Sequence, residues 1–136
     1  MASHLLEDIF EVKDIDPEHG KKFDKVSRLI CQAENTLNPV ELQLDINTDI
    51  WPVDVKDKLS VLITTSLVAE EGSEETLLDK YEYAMTGRVF RFLEEERRHS
   101  VYASFGGLLM KVKASPQTIS AFNLDQIVYI LIRRVL

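Results

Sequence analysis

An antiparallel β-barrel of about eight strands is the all-β fold this sequence predicts, and three observations carry the prediction. Apolar and polar residues alternate with the period of a half-buried strand, most strictly in Val40-Glu41-Leu42-Gln43-Leu44-Asp45-Ile46. Short β-branched or alternating runs recur along most of the chain, separated by proline, glycine and asparagine turn signals. So many short strands in 136 residues would expose aggregation-prone edges unless the sheet closes or pairs with a second one.

The elements follow in chain order. Asp16-Pro17 and Gly20 mark a turn, after which Val26 to Cys31 reads as a strand. Asn38-Pro39 precedes the alternating strand Val40 to Ile46, and Trp51-Pro52 marks a turn before the apolar run Leu59 to Thr65. The acidic stretch Glu70 to Asp79 reads as an exposed loop, or as a short helix capped by Ser73 with Leu77 and Leu78 packed. Tyr81 to Met85 and Arg88 to Phe92 alternate as two runs, with Gly87 between them as a bulge or bend. Glu94 to Ser100 is a charged excursion. Tyr102 to Phe105 and Leu108 to Val112 form a hairpin about Gly106-Gly107. Ser115-Pro116 opens a short helical turn, with serine as N-cap and proline at the first helical position, and Ile127 to Val135 is the last strand. Neither a repeat nor a linker divides the chain, so residues 1–136 read as one domain.

Composition narrows the function classes. Hydrophobic residues at 45% and charged residues at 29% match an ordinary soluble chain. One cysteine, Cys31, rules out an intramolecular disulfide. The acidic start MASHLLEDIF has no basic region ahead of a long apolar stretch, and the run near Ile127 to Ile132 is too short for a bilayer, so a soluble intracellular protein without membrane contact is expected. A net charge of −7 opposes direct binding of nucleic acid, which needs a basic surface to displace counterions. Lys21, Lys22, Lys25 and Arg28 form a local basic cluster against that trend.

Chemistry-bearing motifs are sparse. Gly106-Gly107 continues into a strand, whereas a phosphate loop leads into a helix, so the pair reads as a tight turn with positive φ at both positions. Asp14 to Glu18 starts like a calcium loop, but His19 and Lys25 stand where glycine and a bidentate glutamate belong. His4, His19 and His99 lie apart from one another and from Cys31, at no metal-ligand spacing. Cys31 falls in an apolar run, where a thiol is buried and inert. The reading therefore gives no catalytic residue, no metal site and no cofactor. Phe90, Phe92, Tyr102 and Phe105 suggest a base-stacking platform, but at period-two spacing Phe90 and Phe92 are expected to share one face and fill the core.

Taken together, LLEDIFEVKDIDPEHGKKFDKVSRL, ELQLDINTDIWPVDVKDKL, DKYEYAMTGRVFRF, YASFGGLLMKV and FNLDQIVYILIRRVL resemble a known family. It is the small subunit shared by nuclear RNA polymerases I, II and III, eighth in the subunit numbering. The likeness runs in order through essentially the whole chain. It departs at Trp51, where relatives usually carry tyrosine, and at a shortened loop near Leu67 to Lys80.

The resemblance implies an OB-fold-like barrel with no catalysis of its own. It implies docking on the largest polymerase subunit, a role in assembly and transcription, and a nuclear location. Within that reading, the bare turn Gly106-Gly107 and neighbouring Leu108 are the expected partner interface, allowing close approach of another backbone. The alternative is a free OB-like barrel that binds single-stranded nucleic acid through Trp51, Phe105 and the basic cluster.

Overall fold

The computed structural model describes residues 4–16, 25–35, 37–69, 75–95 and 97–135. Eight antiparallel strands close into a barrel. They are β1 (His4–Ile15), β2 (Val26–Ala33), β3 (Glu41–Asn47), β4 (Lys58–Thr64), β5 (Tyr83–Glu95), β6 (Arg98–Phe105), β7 (Leu108–Ala114) and β8 (Ile127–Arg134). Around the wall the order is β1-β2-β3-β7-β6-β5-β8, with β4 between β8 and β1.

The strand count agrees with the expectation for a partly different reason. Alternation does not mark His4–Ile15 as a strand, because Asp8 interrupts its inward series Leu6, Phe10, Val12 and Ile9 stands outside, 37% exposed. Register with β4 fixes it nonetheless, pairing Leu6 with Ile63 and Phe10 with Leu59. Conversely, the runs before and after Gly87 are one strand. Tyr83 to Arg88 pair with β8 and Arg88 to Glu95 with β6, so β5 passes from one neighbour to the other at Arg88.

The bulge expected at Gly87 lies further on, where register shifts between Val89 and Arg91. That extra residue corrects the expectation for the phenylalanines. Phe90 is set outside against the Tyr102 ring, with centroids 6.2 Å apart, and is 47% exposed. Phe92 lies across from buried Val101 near the strand end and is 38% exposed. Neither fills the core.

Inward side chains of every strand make that core, including Phe10, Leu29, Leu44, Leu59, Met110 and Ile130, all essentially inaccessible. Strict alternation along β2 and β7 follows from one buried and one wet face. The runs VLIT and ILI in β4 and β8 are apolar on both faces because both are covered. Outward Leu62 and Leu131 pair across the two strands and lie under Leu67, Leu77 and Tyr81. The covering segment is held by Val68–Thr76 pairing and a 3-10 turn, Leu77–Lys80, whose N-cap is Thr76. Ser73, the expected cap, lies outside the described residues, as do Pro17, Gly20, His19, Lys21 and Lys22. Leu77 packs as expected, while Leu78 is 44% exposed.

The short helix α1 (Pro116–Ile119) is built as its sequence predicts. Thr118 N–H donates to Ser115 Oγ at 3.3 Å, and Pro116 occupies the first turn. Cys31 is buried within the core, and that burial pushes its thiol pKa up to about 12, leaving it protonated and inert.

Candidate partner interface

The β6–β7 hairpin turns on two residues. Phe105 pairs with Leu108, and Gly106 and Gly107 have φ of 64° and 100°. Glycine adopts both conformations without strain, whereas most side chains, β-branched ones above all, do not. Gly107 N–H donates to Ser104 Oγ at 3.2 Å, which holds the turn against its own strand. A Cβ at either glycine would meet no atom within 4 Å, so the tip of the hairpin stands in the open.

Leu108 differs from what its place in the motif suggests. It is half-buried and packs on the core, while Leu109 beside it points outward at 41% exposure. Since space is free around the glycines, replacing either by valine tests backbone strain alone. We expect Gly106→Val and Gly107→Val each to lose about 1–3 kcal/mol in urea unfolding, and Gly107→Ala less.

Behind the turn stands a buried acid. Asp45 is 7% exposed and binds Arg28 through both oxygens, at 2.7 Å to Nε and 3.1 Å to Nη2. Its Oδ2 also accepts the Leu109 N–H at 3.0 Å. Backbone pairing between β3 and β7 ends at Leu44 and Met110, so this carboxylate extends the ladder by one rung. On the other side, Asp16 Oδ1 accepts the Arg28 N–H at 2.9 Å. The chain from β2 through β3 to the start of β7 is thereby tied to the hairpin base.

Asp45→Ala should cost about 2 kcal/mol in urea unfolding, less than breaking a fully buried pair because the Arg28 side chain is 40% exposed. Asp45→Asn, which keeps an acceptor for Leu109, should lose about half as much. Equal losses would mean that the amide bond contributes nothing. Sequence alternation marked Asp45 as an outward polar residue and gave no sign of this role.

The aromatic residues of the stacking alternative are otherwise engaged. Trp51 is 8% exposed and Phe105 6%, both in the core cluster. Trp51 stacks on Tyr83 at 5.8 Å and lies 4.9 Å beneath the Arg134 guanidinium. Its Nε1–H donates to Glu82 Oε1 at 3.2 Å, an oxygen that also accepts the Arg134 N–H at 3.1 Å. Arg134 further donates to the Pro52 carbonyl and lies 3.4 Å from Asp57. The cluster fastens the loop after β3 to the start of β5 and the end of β8. Of the basic cluster, Arg28 is committed to Asp45 and Lys25 is exposed.

Among the described residues no group of His, Cys, Asp or Glu is placed to hold a metal, and no helix is long and apolar enough to cross a membrane. His4 and His99 lie on β1 and β6.

The fold is thus a small closed antiparallel barrel whose exposed hairpin is braced from behind by Asp45. The chain belongs to the RNA polymerase Rpb8 family, whose model matches residues 7–134. It is 39% identical to a Dictyostelium discoideum protein, DNA-directed RNA polymerases I, II, and III subunit rpabc3, over 98% of this chain and 99% of that one. It is 38% identical to the Arabidopsis thaliana DNA-directed RNA polymerases II, IV and V subunit 8B, again over 98% and 99%. With the Caenorhabditis elegans probable subunit RPABC3 of polymerases I, II and III it shares 37% identity over 98% of both chains.

Proposed function

We propose that this protein is a non-catalytic structural subunit common to nuclear DNA-directed RNA polymerases I, II and III. In this reading it docks on the largest subunit, supports assembly and transcription, and acts in the nucleus. The observation that carries it is family membership along residues 7–134, with relatives named as subunits shared between polymerases. The exposed glycine turn and Leu108, braced by Asp45, supply the contact with the larger subunit. Affinity purification of the tagged chain should recover largest subunits from more than one polymerase class. Recovery of none overturns the reading.

A further inference from the structure

The outer wall next to the glycine hairpin carries a second pattern. Ile127, Arg88, Ser104 and Leu109 form one row of paired residues across β8, β5, β6 and β7. The neighbouring row sets the bulged pair Phe90 and Arg91 against Tyr102 and then Lys111. Ile127, Phe90 and Leu109 stand together on this wall, 52%, 47% and 41% exposed.

Three cations stand on this wall. Arg91 and Lys111 each stand 5.6 Å from the Tyr102 ring centre, and Arg88 Nη1 donates to the Asp125 carbonyl at 3.2 Å. None of the three is in an ion pair among the described residues. Carboxylates border the wall: Asp125 supplies the carbonyl that Arg88 binds, and Glu95, whose pKa is held low first by its hydrogen bond from Lys113 and also by the charge of Lys111, lies 3.3 Å from Lys113. On a chain of net charge −7, three cations outside any ion pair among the described residues, beside three exposed apolar side chains, mark a local reversal.

We propose that this wall receives an extended acidic segment of a partner polymerase subunit, one that carries aliphatic side chains among its carboxylates. The inference rests on the subunit reading above and names the chemistry of the contact. Carboxylates meet Arg88, Arg91 and Lys111, and the aliphatic groups cover Ile127, Phe90 and Leu109. The wall is continuous with the glycine turn through Ser104 and Leu109, so one segment spans both. A polypeptide suits the wall better than a nucleic acid, because Ile127 and Leu109 offer aliphatic contacts rather than stacking planes. The one ring on offer beside Phe90, Tyr102, is flanked by Arg91 and Lys111.

The test uses the tagged full chain in cells, with a photo-crosslinking residue at position 127 and the double variant Arg91→Glu/Lys111→Glu. The unmodified chain should recover the largest subunit, and the crosslink should map to a polymerase peptide rich in Asp and Glu. The double variant should lower recovery at least tenfold while melting at the same temperature as the unmodified chain. A milder variant, Arg88→Gln, should weaken recovery in the same direction. Recovery undiminished in the double variant overturns the acidic-segment proposal and leaves the subunit reading standing. A crosslink to nucleic acid, to a second copy of this chain or to a basic peptide also overturns it. No recovery by the unmodified chain overturns both.

Discussion

Gly87→Ala is expected to cost about 3 kcal/mol or more in urea unfolding, a loss that is unusual for a single added methyl group. Gly87 pairs with Val128, an inward residue, so a side chain at this position would enter the barrel. There it would overlap the Ser104 carbonyl oxygen, lie 2.6 Å from Phe105 Cδ1 and lie 2.8 Å from the Ser104 carbonyl carbon. The phenylalanine ring has some freedom to shift, but the backbone of β6 does not move without breaking its ladder to β5 and β7. The clash therefore opposes barrel closure itself. Ala84→Ser, on the outer side of the same strand, should stay within about 0.5 kcal/mol of the starting protein. Similar losses for both variants would show that β5 is merely intolerant of change.

Trp51→Ala is expected to lose about 3–5 kcal/mol, the range for truncating a buried large aromatic. The indole touches Tyr83, Arg134 and Glu82 together, so its removal loosens three segments distant in sequence. Trp51→Tyr separates the contributions. A phenol ring retains stacking on Tyr83 but gives up the Nε1–H bond to Glu82, for an expected loss of about 1–2 kcal/mol. Thermal melting in parallel with urea unfolding checks both variants. A tyrosine variant as unstable as the alanine one would assign the effect to the hydrogen bond, not to ring packing.

The legible and illegible parts of this molecule divide on local physics. Alternation exposed β2, β3 and β7, whose one face is wet, and the serine–proline pair exposed α1, because both signals act within a few residues. The positive φ of Gly106 and Gly107 was legible for the same reason. Alternation does not reveal β1, because Asp8 breaks its inward series, and only pairing with β2 and β4 places it. Phe90 follows inward Val89 and faces out, and the bulge there turns Phe92 to the other face, since a one-residue slip reverses every side chain beyond it. At the candidate interface, the exposed turn was visible in the sequence but its support was not. Asp45 reads as one more polar residue on a strand until β7 is brought beside it, and Trp51 reads as a surface aromatic until Arg134, at the other end of the chain, covers it.

The place of β8 in the wall has a consequence for how the protein is made. The last described strand in chain order is the one that fits between β4 and β5. Until residues Ile127–Arg134 emerge, the nascent chain holds two open strand edges and a core lacking Val128, Ile130 and Ile132. Closure therefore waits for β8. A chain stalled or truncated before β8 offers sticky edges to its neighbours, which makes the C-terminal strand the checkpoint between a soluble barrel and an aggregating ribbon.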